Sequence, residues 1–160
     1  MKTLPSRLFP NCAFSAEEAA GFYDIIPQGY TKVVSLFLSK ETVADDEAIQ
    51  KAAVFFDRVQ EWDAFGRAAF LSAEEGSEDD EMVAEYFDFY KEEAPDVFGD
   101  VDISALTLAD MVNGLELCGM ATHGCGEGQH FVVDFTLGYD QMLCVSFDVN
   151  SECKNIAWES

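Results

Sequence analysis

Basic residues are scarce in this sequence. Nine lysine and arginine residues face 31 aspartate and glutamate residues, so the formal net charge at pH 7 is −22. Such a chain repels phosphate backbones and anionic lipid headgroups, which argues against a nucleic-acid-binding or membrane-surface protein. The same charge attracts a basic protein partner over a long range, although acidity also serves simply to keep a protein soluble.

Long apolar runs and paired cysteine spacings are also missing. No stretch approaches the length of a membrane span, and the first seven residues lead into no apolar run long enough for a signal peptide, so we expect a cytoplasmic protein. An odd number of cysteines without paired spacing does not predict a disulfide framework. We expect reduced thiols, most of them buried as small hydrophobic side chains, at Cys12, Cys118, Cys125, Cys144 and Cys153.

The length and the apolar content fit one folded domain. The chain has 160 residues, of which 49% are hydrophobic, and this is enough to bury a continuous core. Fourteen residues are phenylalanine, whose bulky ring typically fills the space between a sheet and its covering helices. We therefore expect a single domain over residues 1–160.

The opening third predicts strands. β-Branched and aromatic residues are concentrated from Tyr30 to Leu38, and the turn-forming segment 27–29 predicts a hairpin with a strand from Gly21 to Ile26. A short edge strand is expected from Pro10 to Phe14, because proline cannot donate to a strand ladder.

The middle of the chain predicts helices, because its apolar residues recur at three- and four-residue spacing. The expected helices run from Asp45 to about Leu71 with Asp45 or Asp46 as N-cap, from near Glu78 to near Ala94 ahead of Pro95, and from Thr107 to Val112 with Ser104 or Thr107 as N-cap.

The last third returns to strands separated by short turns, and short connections favour an antiparallel meander. The expected strands are Leu115 to Thr122, Gln129 to Leu137, Gln141 to Val149 and Lys154 to Trp158. Together these patterns predict an α+β fold: a mostly antiparallel sheet built from N- and C-terminal strands, with a helical middle segment packed on one face.

The C-terminal strands carry short motifs as well. They are a "D-aromatic-T-aliphatic-G" strand at Asp134 to Gly138, a "V-x-F-D" strand at Val145 to Asp148, and a closing "E-S" at Glu159 and Ser160. With these motifs the chain resembles a bacterial family known only as domain of unknown function two thousand and four. The resemblance covers most of the chain in layout and specific residues over about the last 30. It implies the α+β layout and a cytosolic bacterial protein, and it brings no active site.

Two sets of residues suggest catalytic or metal chemistry. Cys118, His123, Cys125 and His130 are of types that suit zinc, but their spacing lacks the two-residue cysteine knuckle. Along a regular strand, Cys118 and His123 also point to opposite faces. Cys125 and His130 are the candidate nucleophile pair, yet the surrounding acidity opposes a thiolate. We expect no metal, no cofactor and no enzymatic activity.

One acidic residue in a predicted strand and three in a predicted loop are also candidates for a functional role. Asp134 lies in the middle of a strand. One interpretation is a half-buried carboxylate that titrates abnormally and acts as a base, and the other is a carboxylate that accepts hydrogen bonds from a neighbouring turn or simply faces solvent. Asp96, Asp100 and Asp102 lack the calcium-loop pattern and predict a solvated loop.

The acidic residues are concentrated between positions 74 and 96, where Lys91 is the only cation. One interpretation is a solvated helix face, and the other is a docking surface for a basic partner with aromatic anchors. The candidate partner-binding residues are Glu74, Glu75, Glu78, Asp79, Asp80, Glu81, Glu85, Tyr86, Asp88, Phe89 and Tyr90.

A strongly negative net charge without a recognisable set of catalytic residues predicts a binding protein rather than an enzyme. The specific hypothesis is an immunity protein that neutralises a bacterial toxin, nuclease-like in character, by covering its basic active site. The alternative is a housekeeping scaffold or small-ligand-binding domain that uses the open face of its sheet.

Overall fold

A computed structural model describes residues 2–9, 12–14 and 21–160. Two short strands, β1 (Lys2–Thr3) and β2 (Ala13–Phe14), pair antiparallel near the N-terminus. The predicted edge strand is therefore confirmed at Ala13 and Phe14, whereas Pro10 and Asn11 lie outside the described residues. Within the described part of the chain, none of the helices combines the length and the apolarity needed to cross a bilayer.

Six strands form the main sheet, and they lie in sequence order. They are β3 (Gly21–Ile25), β4 (Val34–Leu38), β5 (Glu116–His123), β6 (His130–Gly138), β7 (Gln141–Phe147) and β8 (Cys153–Glu159). The predicted N-terminal hairpin and the C-terminal meander are confirmed as antiparallel pairs. Strands β4 and β5 pair parallel, and the helical middle of the chain forms the long crossover that this pairing requires.

Five helices form the crossover: α1 (Lys40–Val43), α2 (Asp46–Asp57), α3 (Val59–Ser72), α4 (Glu78–Glu93) and α5 (Leu108–Gly114). The predicted caps at Asp45 and Thr107 are confirmed, since each side chain accepts a backbone N–H of the first turn. The single helix predicted from Asp45 to Leu71 is wrong. It is interrupted at Arg58, where the backbone leaves the helical region and the Arg58 N–H bonds to the Phe55 carbonyl.

The carboxylate of Asp57 binds the N-terminal segment beside this break. It accepts hydrogen bonds from the Ser6 hydroxyl at 2.5 Å and from the Leu8 N–H at 3.0 Å. Burial on its own would raise the pKa of this carboxyl, but the bonds from Leu8, Ser6 and Arg7 outweigh it and lower the pKa. The N-terminal segment is thus fastened to the helix layer at the junction of α2 and α3.

The core lies between the helices and one face of the sheet. Alternate residues of the central strands point into it, and they include Val133, Phe135 and Val145, all fully buried. Helix α3 supplies the facing rings: Phe70 lies 5.3 Å from Phe135, centroid to centroid, and Trp62 lies 5.0 Å from Phe147. The helical middle therefore packs on one face, which confirms the predicted α+β architecture.

The opposite face, which we call the open face, has a different composition. Its central row crosses five strands in register, through Ser35, Gly119, Asp134, Cys144 and Ala157. Most of these side chains are only half-buried, as expected for a sheet face that none of the described helices covers.

Candidate functional sites

Helix α4 presents a dense acidic surface. Ser77 caps the helix by accepting the Asp80 N–H, and Asp80 in turn accepts the Gly76 N–H at 3.0 Å. Four acids in the first turn suit the positive end of the helix dipole. We define the acidic face as the exposed carboxylates among the predicted partner-binding residues of this helix and the loop before it: Glu74, Glu75, Glu78, Glu81, Glu85 and Asp88.

Two of the predicted anchors are wrong. The side chains of Tyr86 and Tyr90 are 0% exposed, and their hydroxyls donate to the backbone carbonyls of Gln141 and Gly138 at the β6–β7 turn. Burial raises the pKa of Tyr86 strongly. The sequence did contain the signal, because Tyr86 and Tyr90 are four residues apart and continue the buried stripe that includes Val83.

Three other members of the predicted set have structural contacts as well. Asp79 accepts the outward-pointing N–H of Ile156 at 2.9 Å, so it covers part of the free edge of strand β8. Phe89 is half-buried and its ring centroid lies 5.3 Å from that of Trp158. Asp80 belongs to the helix cap described above. The exposed remainder of the predicted set is therefore the acidic face alone.

The cysteines and histidines do not assemble as one group. His123 and His130 face each other across β5 and β6, with ring centroids 5.1 Å apart. Burial, followed by the nearby His130, lowers the pKa of His123 and so opposes its protonation. Within the described residues, no group of three His, Cys, Asp or Glu side chains is placed to hold a metal ion.

Cys118 lies elsewhere on the open face, beside Asp134. A β-bulge between Leu117 and Gly119 adds one residue to the strand, and the Cys118 thiol lies 3.4 Å from the Asp134 carbonyl oxygen. The expectation that Cys118 and His123 point to opposite faces is wrong, because it assumed an unbroken two-residue alternation. Cys125 is exposed in the turn, and the His130 Nδ1 atom lies 3.3 Å from the Gly128 carbonyl rather than bonding to this thiol.

The buried and the exposed thiols are expected to differ in their reactivity towards an alkylating reagent. Burial, followed by the Asp134 charge, raises the pKa of Cys118 to about 12, and the same causes raise the pKa of Cys144 further. Thiols with such raised pKa values are almost wholly un-ionised at pH 8, so iodoacetamide is expected to alkylate exposed Cys125 and to leave Cys118 and Cys144 intact. Peptide mapping after timed alkylation measures this, and early labelling of Cys118 or Cys144 would contradict it.

Asp134 occupies the centre of the open face. Directly across on β5 stands Gly119, where an added Cβ atom would lie 2.7 Å from the Asp134 Oδ2 atom. The carboxyl group therefore lies over the glycine, in space that any other residue would fill. Burial raises the pKa of Asp134, a hydrogen bond with the Cys144 thiol lowers it, and the Glu159 charge raises it again, so that the net shift is upward.

A concavity of about 450 Å³ opens beside this carboxyl. Its walls combine apolar side chains with a few polar groups, and none of the described lining residues is basic. At its rim the Ser35 hydroxyl donates to Asp24 at 2.6 Å. The lining includes Phe37, Cys118, Gly119, Asp134, Tyr139 and Met142.

The predicted solvated loop is confirmed, since Asp96, Asp100 and Asp102 are all exposed. Asp96 accepts the Tyr139 hydroxyl at 2.7 Å, while Asp102 caps a short 3₁₀ turn by accepting from Ser104. Asp96 and Asp102 therefore serve separate local structures.

Comparison with protein-family models, with curated proteins and with solved structures found no match for this chain. The resemblance drawn from the C-terminal motifs therefore stays a prediction.

Proposed function

We propose that this is a non-catalytic binding protein whose acidic face engages a basic protein partner. The observation that carries the proposal is a 16-residue helix whose outer side is lined with exposed carboxylates while its inner side is locked into the core. Such a surface is rigid, since Tyr86 and Tyr90 fix the helix to the β6–β7 turn. A preformed surface binds with little loss of conformational entropy.

Internal ion pairs leave this surface unneutralised. At least seven of the nine basic side chains already pair with carboxylates, and six of these seven are outside helix α4. Lys91, the cation within the helix, lies 3.9 Å from Asp88. The negative potential at the acidic face is therefore available to steer a cationic partner, and this raises association rates at low salt.

The partner class that fits best is a bacterial toxin with a basic, nuclease-like active site. An enzyme that binds a phosphate backbone needs a cationic cleft, and a rigid anionic helix is complementary to such a cleft. Together with the predicted cytoplasmic location and the predicted bacterial family, this supports an immunity role in the producing cell. The partner is then expected to be encoded beside this protein.

The test is co-expression with the products of the adjacent genes, followed by growth measurement and binding kinetics. We expect one product to be toxic alone, harmless with this protein and co-purified with it. A variant with Glu81→Gln, Glu85→Gln and Asp88→Asn is expected to lower the association rate constant about tenfold or more at low salt. The control, Glu41→Gln with Asp100→Asn and Glu127→Gln, removes the same charge elsewhere and is expected to change it less than about twofold.

Two outcomes count against the proposal. If no adjacent product is toxic or co-purifies, the immunity role is wrong. If the two triple variants weaken association equally, net charge and not the acidic face governs binding. Asp79 is left intact in both variants because it bonds to strand β8.

A second candidate is a small-ligand-binding domain, or a housekeeping scaffold, that uses the open face. The concavity beside Asp134 is the observation that favours it. At about 450 Å³ its volume falls within the range of typical small-molecule sites.

A further inference from the structure

We propose that the concavity on the open face binds a small organic cation, a primary ammonium with an apolar body, and that the Asp134 carboxylate is its counter-ion. The inference rests on the second candidate function and is independent of the acidic face. It names the chemical class of ligand that the site would take.

The first support is the space around the carboxyl. Gly119 lies opposite Asp134 on the neighbouring strand and has no side chain. The Asp134 carboxyl group therefore lies over this glycine, and no side chain at position 119 covers it. The concavity reaches this position from the solvent side. A ligand headgroup that enters it can therefore approach the carboxylate without moving the backbone.

The second support is the missing counter-charge. The pKa of Asp134 is shifted by burial, by the Cys144 thiol and by the Glu159 carboxylate, and no cation among the described residues offsets the net upward shift. A partly buried carboxylate without a cationic partner is costly, and a bound ammonium group would provide that partner. Neutral thiols on both sides, at Cys118 and Cys144, do not compete for this role.

The third support is the match between the walls and the ligand. Phe37 and Met142 supply apolar surface, and Phe37 and Tyr139 present aromatic rings that suit an ammonium ion. Asp140 adds a further carboxylate to the lining, and none of the described lining residues is basic. With a net charge of −22, the whole molecule concentrates cations at its surface and repels anionic ligands.

A bare metal ion fits less well than an organic cation. Within the described residues no three potential ligands converge on one point. The thiols next to Asp134 would have to lose protons against strongly raised pKa values before they could coordinate. An ammonium group needs only one carboxylate and an apolar surface for its body.

The experiment is isothermal titration calorimetry of the full chain at pH 8 with three probes that share one ring: 2-phenylethylamine, 2-phenylethanol and 3-phenylpropionate. We expect saturable one-to-one binding of the amine, at least about tenfold weaker binding of the alcohol, and no binding of the carboxylate. The Asp134→Asn variant is expected to lose at least about tenfold in amine affinity. The control Glu127→Gln removes one charge from an exposed turn and is expected to leave that affinity unchanged.

A second variant keeps the test decisive if Asp134→Asn fails to fold. Gly119→Ala keeps the net charge but places a Cβ atom 2.7 Å from the Oδ2 position, so the carboxyl must move. We expect it to weaken amine binding at least about fivefold. Circular dichroism of each variant confirms that it is folded before it is titrated.

The outcomes separate the ligand class from the role of Asp134. Equal affinity for the amine and the alcohol would overturn the ligand class and leave the open face as a site for neutral compounds. Amine binding that survives Asp134→Asn, or that falls equally in Glu127→Gln, would overturn the role of Asp134. If no probe binds saturably, both the ligand class and the small-ligand function are wrong, whereas the protein-partner proposal is unaffected.

Discussion

Gly66→Ala is expected to lower the free energy of unfolding by about 2 kcal/mol, although alanine is normally the better helix residue by about 1 kcal/mol. Gly66 lies in the middle of α3, where the helix meets strand β6. A Cβ atom there would lie 2.5 and 2.7 Å from two ring atoms of Phe135 and 3.4 Å from Val145. Because the Phe135 ring is fully buried and packs edge-on against Phe70 at 5.3 Å, it has nowhere to move.

Urea denaturation followed by circular dichroism measures this loss. Gly114→Ala is the matched control, since Gly114 also belongs to a helix but its Cβ position has only an ordinary contact of 3.7 Å with Leu137. The control is expected to leave stability unchanged or to raise it by up to about 1 kcal/mol. Adding Phe135→Leu to Gly66→Ala is expected to cost less than the sum of the single changes, because the shorter side chain makes room. Strict additivity would show that the helix and the sheet do not meet at this glycine.

The parts of the fold that depend on local pattern were predictable from the sequence. Phe135 and Val145 are flanked by polar or smaller residues, and this alternation indicates which face of β6 and β7 is buried. The N-caps at Asp45 and Thr107 could be predicted because each is a residue type that caps helices and stands just before apolar residues at helical spacing.

The parts that depend on contacts between distant residues were not predictable. The helix break at Arg58 is invisible locally, because the apolar spacing continues across it from Phe56 to Val59. It lies beside Asp57, which bonds with residues about fifty positions earlier, and such distant contacts leave no local signal. The parallel pairing of β4 with β5 likewise depends on how the whole crossover packs.

The candidate sites divide in the same way. An exposed acidic helix face could be predicted from composition and periodicity. Tyr86 and Tyr90 do not belong to this face because they are buried, as their position in the apolar stripe of the helix indicated. Asp134 could be identified from the sequence as an acid inside a strand. The residues that surround it could not, because they depend on the register in which the strands pair. A bulge at Cys118 and a glycine opposite Asp134 are features of pairing that one strand cannot reveal.

Asp134→Asn is expected to raise the free energy of unfolding at pH 7 by about 1–2 kcal/mol. Burial raises the pKa of this carboxyl in the folded protein above its unfolded value of about 3.9. A raised pKa means that the folded state binds the proton more tightly, so the wild type loses stability as the pH rises from below the unfolded pKa through the folded one. An amide of the same shape has no charge to bury and escapes this loss.

The pH dependence distinguishes this cause from simple repacking. The advantage of Asp134→Asn is expected to grow as the pH rises from the unfolded pKa through the raised folded pKa, and to shrink towards zero below about pH 4, where the wild-type carboxyl is protonated in both states. Asp57→Asn is the control of opposite sign: the pKa of Asp57 is lowered, so its contribution exists above the unfolded pKa and is lost as the pH falls through the folded one. This control should therefore destabilise the protein at pH 7, and denaturation curves from pH 3 to 8 measure both variants.

A loss of stability in Asp134→Asn at pH 7 would contradict the prediction, because it would make the carboxylate a net stabilising group with its partners inside the protein. The expected gain has a further consequence for function. A variant that is more stable than the wild type but no longer binds an amine cannot owe that loss to unfolding. Such a pair of results would support the proposed counter-ion role of Asp134, since functional sites often retain residues that weaken the fold.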